Sequence, residues 1–227
     1  MSVDLRLALQ EERAADLSER VHRLLGPFTG KEAVLDAGTG TGSVAFALAP
    51  HVAEVVGVDT RADYLDAGRP NAPANVRLVE GDVMELPFGY AEFDLVCCHR
   101  VLHHVRLPAL AVSELARVTR PGGRVFVADQ LGSVDPLVTL EMDRFERLRD
   151  PTHQRLLPDA DIRGFLDAND LVLLVSEVTH EQVDLEHRLT LAGFDEEERA
   201  RIRGPSPARP YEVEVGWYVA RKPGVSQ

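Results

Sequence analysis

The run Asp36-Ala37-Gly38-Thr39-Gly40-Thr41-Gly42 constrains this chain more than any other stretch. It follows a short apolar run at 33–37 (AVLDA) and precedes a helical pattern over about 42–49 that Pro50 closes. Glycines at such a strand-to-helix junction let the backbone turn tightly and approach a ligand with no Cβ in the way. The helix beyond offers free N–H groups and a partial positive charge. A dinucleotide fingerprint wants Gly-x-Gly-x-x-Gly and a phosphate-binding loop wants Gly-Lys-Ser/Thr, whereas this turn reads Gly-x-Gly-x-Gly. Taken alone it serves equally as a structural turn, so the weight falls on what surrounds it.

Around it, short apolar runs alternate with helical patterns. An amphipathic helix is expected over about 4–25, with Leu17, Val21, Leu24 and Leu25 on one face and Gly26-Pro27 ending it. EVVGVD is a second strand ending at Asp59, a helix over about 61–69 stops before Pro70, and NVRLVEGD gives a third strand ending near Glu80. FDLVCC at 93–98 is nearly all apolar, as a strand buried on both faces should be. A helix follows with Leu107, Leu110, Ala111, Leu115 and Val118 on one face; Pro121-Gly122-Gly123 reads as a turn and GRVFVAD as a fifth strand. This alternation predicts βαβ units and a parallel sheet with right-handed crossovers. After Asp129 the rhythm changes: a helix at about 134–149, another opened by Pro158, a sixth strand in LVLLVSEV, then a charged segment over 180–210 with few apolar anchors. The last strand, over 212–220, alternates Val213, Val215, Trp217 and Val219 with Glu212 and Glu214, which suits an antiparallel strand.

With 227 residues, 44% of them hydrophobic, the chain can build one sizeable core, and a single domain is expected over 1–227. No apolar run approaches the roughly 20 residues needed to cross a bilayer, so no membrane partner is expected. The N-terminal charges are mixed and leave no apolar centre for a signal peptide, so a cytoplasmic location is expected. Cys97 and Cys98 are adjacent and point to opposite faces of a strand, which offers no disulfide framework. The net charge of −12 and the lack of a basic run argue against a nucleic-acid partner.

Acids stand at successive strand ends. Asp59 closes strand two, 17 positions after Gly42, where a carboxylate can accept from both hydroxyls of a ribose; Gly81-Asp82 follows strand three, where one can meet an adenine amine. Each acid alone serves as well as a helix cap or a surface charge. The pieces VLDAGTGTGSVAFALA, VVGVD, NVRLVEGDVMELPF, FDLVCCHRVLHHV and ELARVTRPGGRVFVAD run in unbroken order from residue 33 to 129. In them the chain resembles the class I S-adenosylmethionine (SAM)-dependent methyltransferases, within them the type 11 group related to ubiquinone/menaquinone-biosynthesis enzymes. A weaker likeness continues through ERLRDPTHQRLL.

The resemblance implies an α/β, Rossmann-like seven-stranded sheet of order 3-2-1-4-5-7-6 with strand seven antiparallel and helices on both faces. It implies SAM as cofactor and a small-molecule acceptor. Asp36 and the turn Gly38, Thr39, Gly40 and Gly42 would hold the methionine portion, and Asp59 with Thr60 the ribose. Gly81, Asp82 and the Val83 backbone would lie at the adenine, and His99 would border the sulfonium. The N-terminal helix (about 1–26) and segments at about 133–157 and 180–210 would roof an acceptor pocket over a cofactor-binding core at about 30–130. His103 is the candidate general base, on the side where the acceptor should lie, though it reads equally as a structural histidine, while His104 shares the cluster and is read first as a capping or core histidine. His99, His103 and His104 lack an accompanying ligand set, and strand four ends in no acid, so no metal is expected. Acceptor identity, the O, N or C nucleophile and the oligomeric state stay open. The rival readings are a nicotinamide-dependent oxidoreductase and a SAM-binding module without turnover.

Overall fold

A computed structural model of the chain describes residues 2–204 and 211–224. The N-terminal helix α1 (Val3–Leu25) buries Leu17, Val21, Leu24 and Leu25, the anticipated stripe, together with Leu5. β1 (Ala33–Ala37) feeds α2 (Ser43–Leu48), then β2 (Glu54–Asp59), α3 (Ala62–Gly68) and β3 (Val76–Glu80). β4 (Phe93–His99), α4 (Pro108–Val118) and β5 (Thr119–Gln130) follow, then α5 (Pro136–Arg149), α6 (Asp159–Asp167), β6 (Val172–Val183), α7 (Leu185–Leu191), α8 (Glu196–Arg203) and β7 (Tyr211–Arg221).

The strands form one seven-stranded sheet in the order β3-β2-β1-β4-β5-β7-β6. β1 to β5 pair with one another in parallel, while β7 runs antiparallel to both β5 and β6, in keeping with the alternation over 212–220. Apolar cores cover both faces of the central strands. One face carries Val56, Val58, Val96 and Cys98 with α4 and α6; the other carries Val55, Leu95, Cys97 and Phe126 with α1 and α2. The two thiols thus point to opposite faces, free and buried. Among the described residues no helix is long and apolar enough to cross a membrane.

Four local expectations need correction. On α4, Leu107 and Leu110 are exposed, because Leu107 precedes the helix as its N-cap and Leu110 falls on the side away from the buried face of Pro108, Ala111, Val112, Leu115, Ala116 and Val118. Pro121-Gly122-Gly123 lies within β5 at a register shift against β4, an extra stretch of strand and not a separate turn. β6 continues to Val183, since β7 pairs with it throughout. Beyond it, 185–203 is not a bare charged loop: two helices bury Leu185, Leu189 and Ile202, anchors masked by the surrounding charge. The prolines at 205 and 207 lie outside the described residues.

Candidate active site

The carboxyl ends of β1, β2 and β3 open into a cleft of about 440 Å³. At its floor the glycine turn is strapped to β2. The amides of Gly38 and Thr39 both donate to the Val58 carbonyl (2.7 and 2.8 Å), and the Gly40 amide donates to Asp59 Oδ2 (2.8 Å). Gly38 has φ +78°, and a Cβ there would stand 2.2 Å from a methyl of Val101; Gly40 has φ +59°, and its Cβ would meet the Arg6 guanidinium at 2.8 Å. Positive φ and both close approaches require glycine here. Asp59 Oδ1 accepts from the Arg61 amide (2.9 Å), and Asp82 Oδ1 from the Met84 amide (2.8 Å). Backbone amides therefore hold both carboxylates in place at the cleft rim.

Of the residues singled out in the sequence, Gly38, Gly40, Asp59, Thr60, Asp82, Val83 and His104 line this cleft. Asp36, Thr39, Gly42 and Gly81 lie outside its lining. Asp36 is buried beneath the turn, where Oδ2 accepts from the Thr39 hydroxyl (2.7 Å) and the Ala45 amide (3.0 Å). Burial pushes its carboxyl up to about 6 against the pull of those two bonds. Asp36 and Thr39 thus brace the turn from behind, Gly42 caps α2, and Gly81 donates to the Asp59 carbonyl (3.0 Å).

His99 likewise lies outside the lining of this cleft. It ends β4 facing a second, smaller chamber of about 90 Å³ beneath α1, with its ring stacked on Trp217 at 5.6 Å. Burial, then neighbouring Arg100 and Arg6, hold it well below the usual imidazole range, so it stays neutral. His103 lines the same chamber. Its amide donates to Asp129 Oδ2 (3.1 Å), and Nδ1 hydrogen-bonds Asp129 Oδ1. Asp129 ends the apolar stretch of β5 and is 1% exposed. Burial pushes its carboxyl up, but the charge and hydrogen bonds of His103, with the Gln130 amide, outweigh this and hold it below its ordinary value. A carboxylate that fixes Nδ1–H leaves Nε2 as the proton acceptor. His103 therefore pairs with Asp129 and caps no helix.

His104 borders both cavities. The Thr152 hydroxyl donates to Asp150 Oδ1 (2.7 Å), which leaves His104 Nδ1–H to donate to that hydroxyl (3.1 Å). Burial first, then His103, pushes His104 down to about 3, which makes it a poor proton acceptor near neutrality. The rings of His103 and His104 lie 4.0 Å apart, and His153 stands 5.6 Å from His103 with Nε2 on Asp143 (2.7 Å). No group of three or more His, Cys, Asp or Glu is arranged to hold a metal among the described residues.

Several lining residues went unrecognised in the sequence. Arg6 on α1 reaches the glycine turn, and Tyr64 on α3 lines the cleft under the Arg61 guanidinium (4.2 Å). Asp150, Thr152 and Gln154 come from the segment whose weaker likeness was noted, docked by amides of Gln154 and Arg155 on the His103 carbonyl (2.9 and 3.2 Å). The Asp129 partnership was unforeseeable from spacing, since 26 positions separate it from His103.

Comparison with known proteins agrees with this geometry. The family profile described as a methyltransferase domain matches residues 35–127. An uncharacterized methyltransferase, YcgJ of Bacillus subtilis, is 34% identical over 142 residues, covering 61% of this chain and 56% of the relative. A demethylmenaquinone methyltransferase of Clavibacter sepedonicus is 33% identical over 137 residues, covering 60% and 56%. The chain thus spans about half the length of these curated relatives. The solved structure of the B. subtilis YcgJ protein superposes with a TM-score of 0.83 over 91% of this chain and 98% of the other, at 23% identity. A [4+2]-cyclase, SpnF, shares the fold at a TM-score of 0.70 over 92% of this chain and 81% of its own, at 20% identity. That a cyclase carries this fold separates architecture from reaction. The profile match spans the glycine turn and the strand ends that line the cleft, so it is this part of the chain, residues 35–127, that is similar to a methyltransferase domain.

Proposed function

We propose that the chain transfers the methyl group of SAM to an O, N or C nucleophile of a small-molecule acceptor. The observation that carries this reading is the cleft itself. Two amide-held carboxylates stand at the ends of β2 and β3, beside a turn that tolerates no Cβ. Arg6 over that turn has a buried Nε with no partner among the described residues. An unsatisfied buried donor is costly and calls for an acceptor. The SAM amino-acid carboxylate would meet Arg6 and the turn, Asp59 would take the ribose hydroxyls, and Asp82 with Val83 would take the adenine. A cleft of about 440 Å³ lies within the range of small-molecule sites, roughly 300–1,000 Å³.

Bound SAM supplies an already activated methyl, so the protein's own contribution is alignment and exclusion of water. Arg6, Gln10 and Leu17 of α1 cover the chamber where the acceptor would sit, and Gln10 hydrogen-bonds the Thr41 hydroxyl of the turn. His103, fixed by Asp129, would take a proton from an oxygen or carbon acid, adding on the order of 10²–10⁴-fold. Incubation with methyl-labelled SAM and a metabolite panel tests the reading. Labelled product with matching S-adenosylhomocysteine supports it; bound SAM without transfer to any acceptor would leave the cofactor-binding module instead.

A further inference from the structure

The chamber beneath α1 is far more cationic than a chain of net charge −12 would lead one to expect. Arg13, Arg100, Arg149 and Arg188 converge on it from α1, the turn after β4, α5 and α7. Three carboxylates answer them, Glu181, Glu146 and the chamber-lining Asp150, which lies in the field of Arg149. Glu181 bonds Arg100 through both oxygens (2.6 Å each) and stands 3.7 Å from Arg13; Glu146 pairs with Arg149. The Arg188 guanidinium has no hydrogen bond or ion pair among the described residues, and Arg149 keeps a buried Nε without a partner. The Tyr211 hydroxyl, in the field of Arg149 and Arg188, is likewise buried and unpartnered. Burial and mutual repulsion push Arg13 and Arg188 down to about 10. Converging guanidinium forks with spare donors match an oxyanion, which would satisfy the donors and relieve the repulsion together.

We infer that this chamber is an oxyanion site and that the methyl acceptor is a small molecule carrying a carboxylate or phosphate, anchored by Arg13, Arg149 and Arg188. Calling the bound molecule the acceptor rests on the methyltransferase reading; the anion site does not. Leu9 and Leu17 are the apolar residues of the lining, and the rest is polar or charged. Such walls disfavour an isoprenoid quinone, the acceptor class suggested by the demethylmenaquinone enzymes. His103 and His104 line the same chamber, so an acceptor held there lies beside the imidazole pair.

Trp217, the single tryptophan, stacks on His99 of the chamber wall and reports on it by fluorescence. Protein saturated with S-adenosylhomocysteine is titrated at constant ionic strength with inorganic phosphate, with acetate and with chloride. Saturable change with phosphate or acetate and none with chloride is expected, and the tighter of the two assigns the acceptor's anionic group. Arg188→Met should weaken that binding at least tenfold, exposed Arg69→Met should not, and Arg13→Met serves if Arg188→Met fails to fold. In turnover, acids or phosphates should be methylated where their neutral esters or alcohols are not. No saturable response to either anion, or equal affinity in both chamber variants, would overturn the inference. Calorimetry with S-adenosylhomocysteine separates the two claims. Cofactor binding without anion binding removes the anion site and leaves the methyltransferase reading, while anion binding without cofactor binding does the reverse.

Discussion

Lowering the pH from 7 to 5 should destabilise the protein through its buried neutral histidines, and His104 allows the size to be worked out. In the folded protein His104 titrates at about 3, against about 6.5 in an unfolded chain. At pH 5 the unfolded state therefore holds nearly one proton more at this residue, and acid favours unfolding. Integrated from pH 7 to 5, this amounts to about 2 kcal/mol at most. His99 and His153, also held below their ordinary values chiefly by burial, act in the same direction. Asp36 opposes them. Its folded value of about 6 lies above the unfolded value of about 3.9, so the native state takes up its proton first and gains about 1 kcal/mol over the same interval. Urea unfolding at pH 7, 6 and 5 measures the sum. The wild type should lose stability toward pH 5, His104→Gln should lose about 2 kcal/mol less, and Asp36→Asn should lose more than the wild type. Identical pH dependence in His104→Gln and wild type would refute the neutral, buried His104, and with it the reason for preferring His103 as the base.

Three further outcomes follow from the site. Asp59→Asn sets an amide N–H₂ against the amide of Gly40 or Arg61 and removes a charged acceptor, worth about 1.5–3 kcal/mol; calorimetry should find S-adenosylhomocysteine bound roughly ten- to a hundredfold more weakly, and unchanged affinity would show the ribose placed wrongly. His103→Gln and Asp129→Asn should each lower kcat by about 10²-fold with cofactor affinity kept; full activity in both would mean that alignment alone suffices. Gly38→Ala drives a Cβ into Val101 at a positive φ and should cost about 1–3 kcal/mol in urea melts, together with cofactor affinity, a result that a freely adjusting turn would not give.

The central strands were legible because a strand buried on both faces must be apolar throughout, as Val55–Val58 and Leu95–Cys98 are. The rim of the cleft was legible for a related reason: a parallel sheet delivers its ligand groups at consecutive strand ends, so Gly38, Asp59 and Asp82 are ordered by topology. What the sequence did not separate was which glycine-turn residues face the cleft and which support it from beneath. Asp36 and Thr39 satisfy each other in the interior, a pairing that depends on the fold of the turn. The acceptor side was the least legible. Arginines 13, 149 and 188 sit on amphipathic helices, where a cation ordinarily reads as solvated surface, and only the packing of α1, α5 and α7 gathers them in one chamber. The helices α7 and α8 were hidden likewise, since Leu185, Leu189 and Ile202 are sparse anchors among many charges.

Aligning the methyl group with the acceptor requires that the cleft at the carboxyl ends of β1 to β3 be built for SAM. Calorimetric titration of the protein with S-adenosylhomocysteine, and separately with NAD, tests this directly. One molecule of S-adenosylhomocysteine per chain should bind with micromolar affinity while NAD gives no heat of binding, because the glycine spacing lacks the dinucleotide fingerprint. Binding of NAD at comparable strength, with S-adenosylhomocysteine inert, would contradict a SAM site in this cleft.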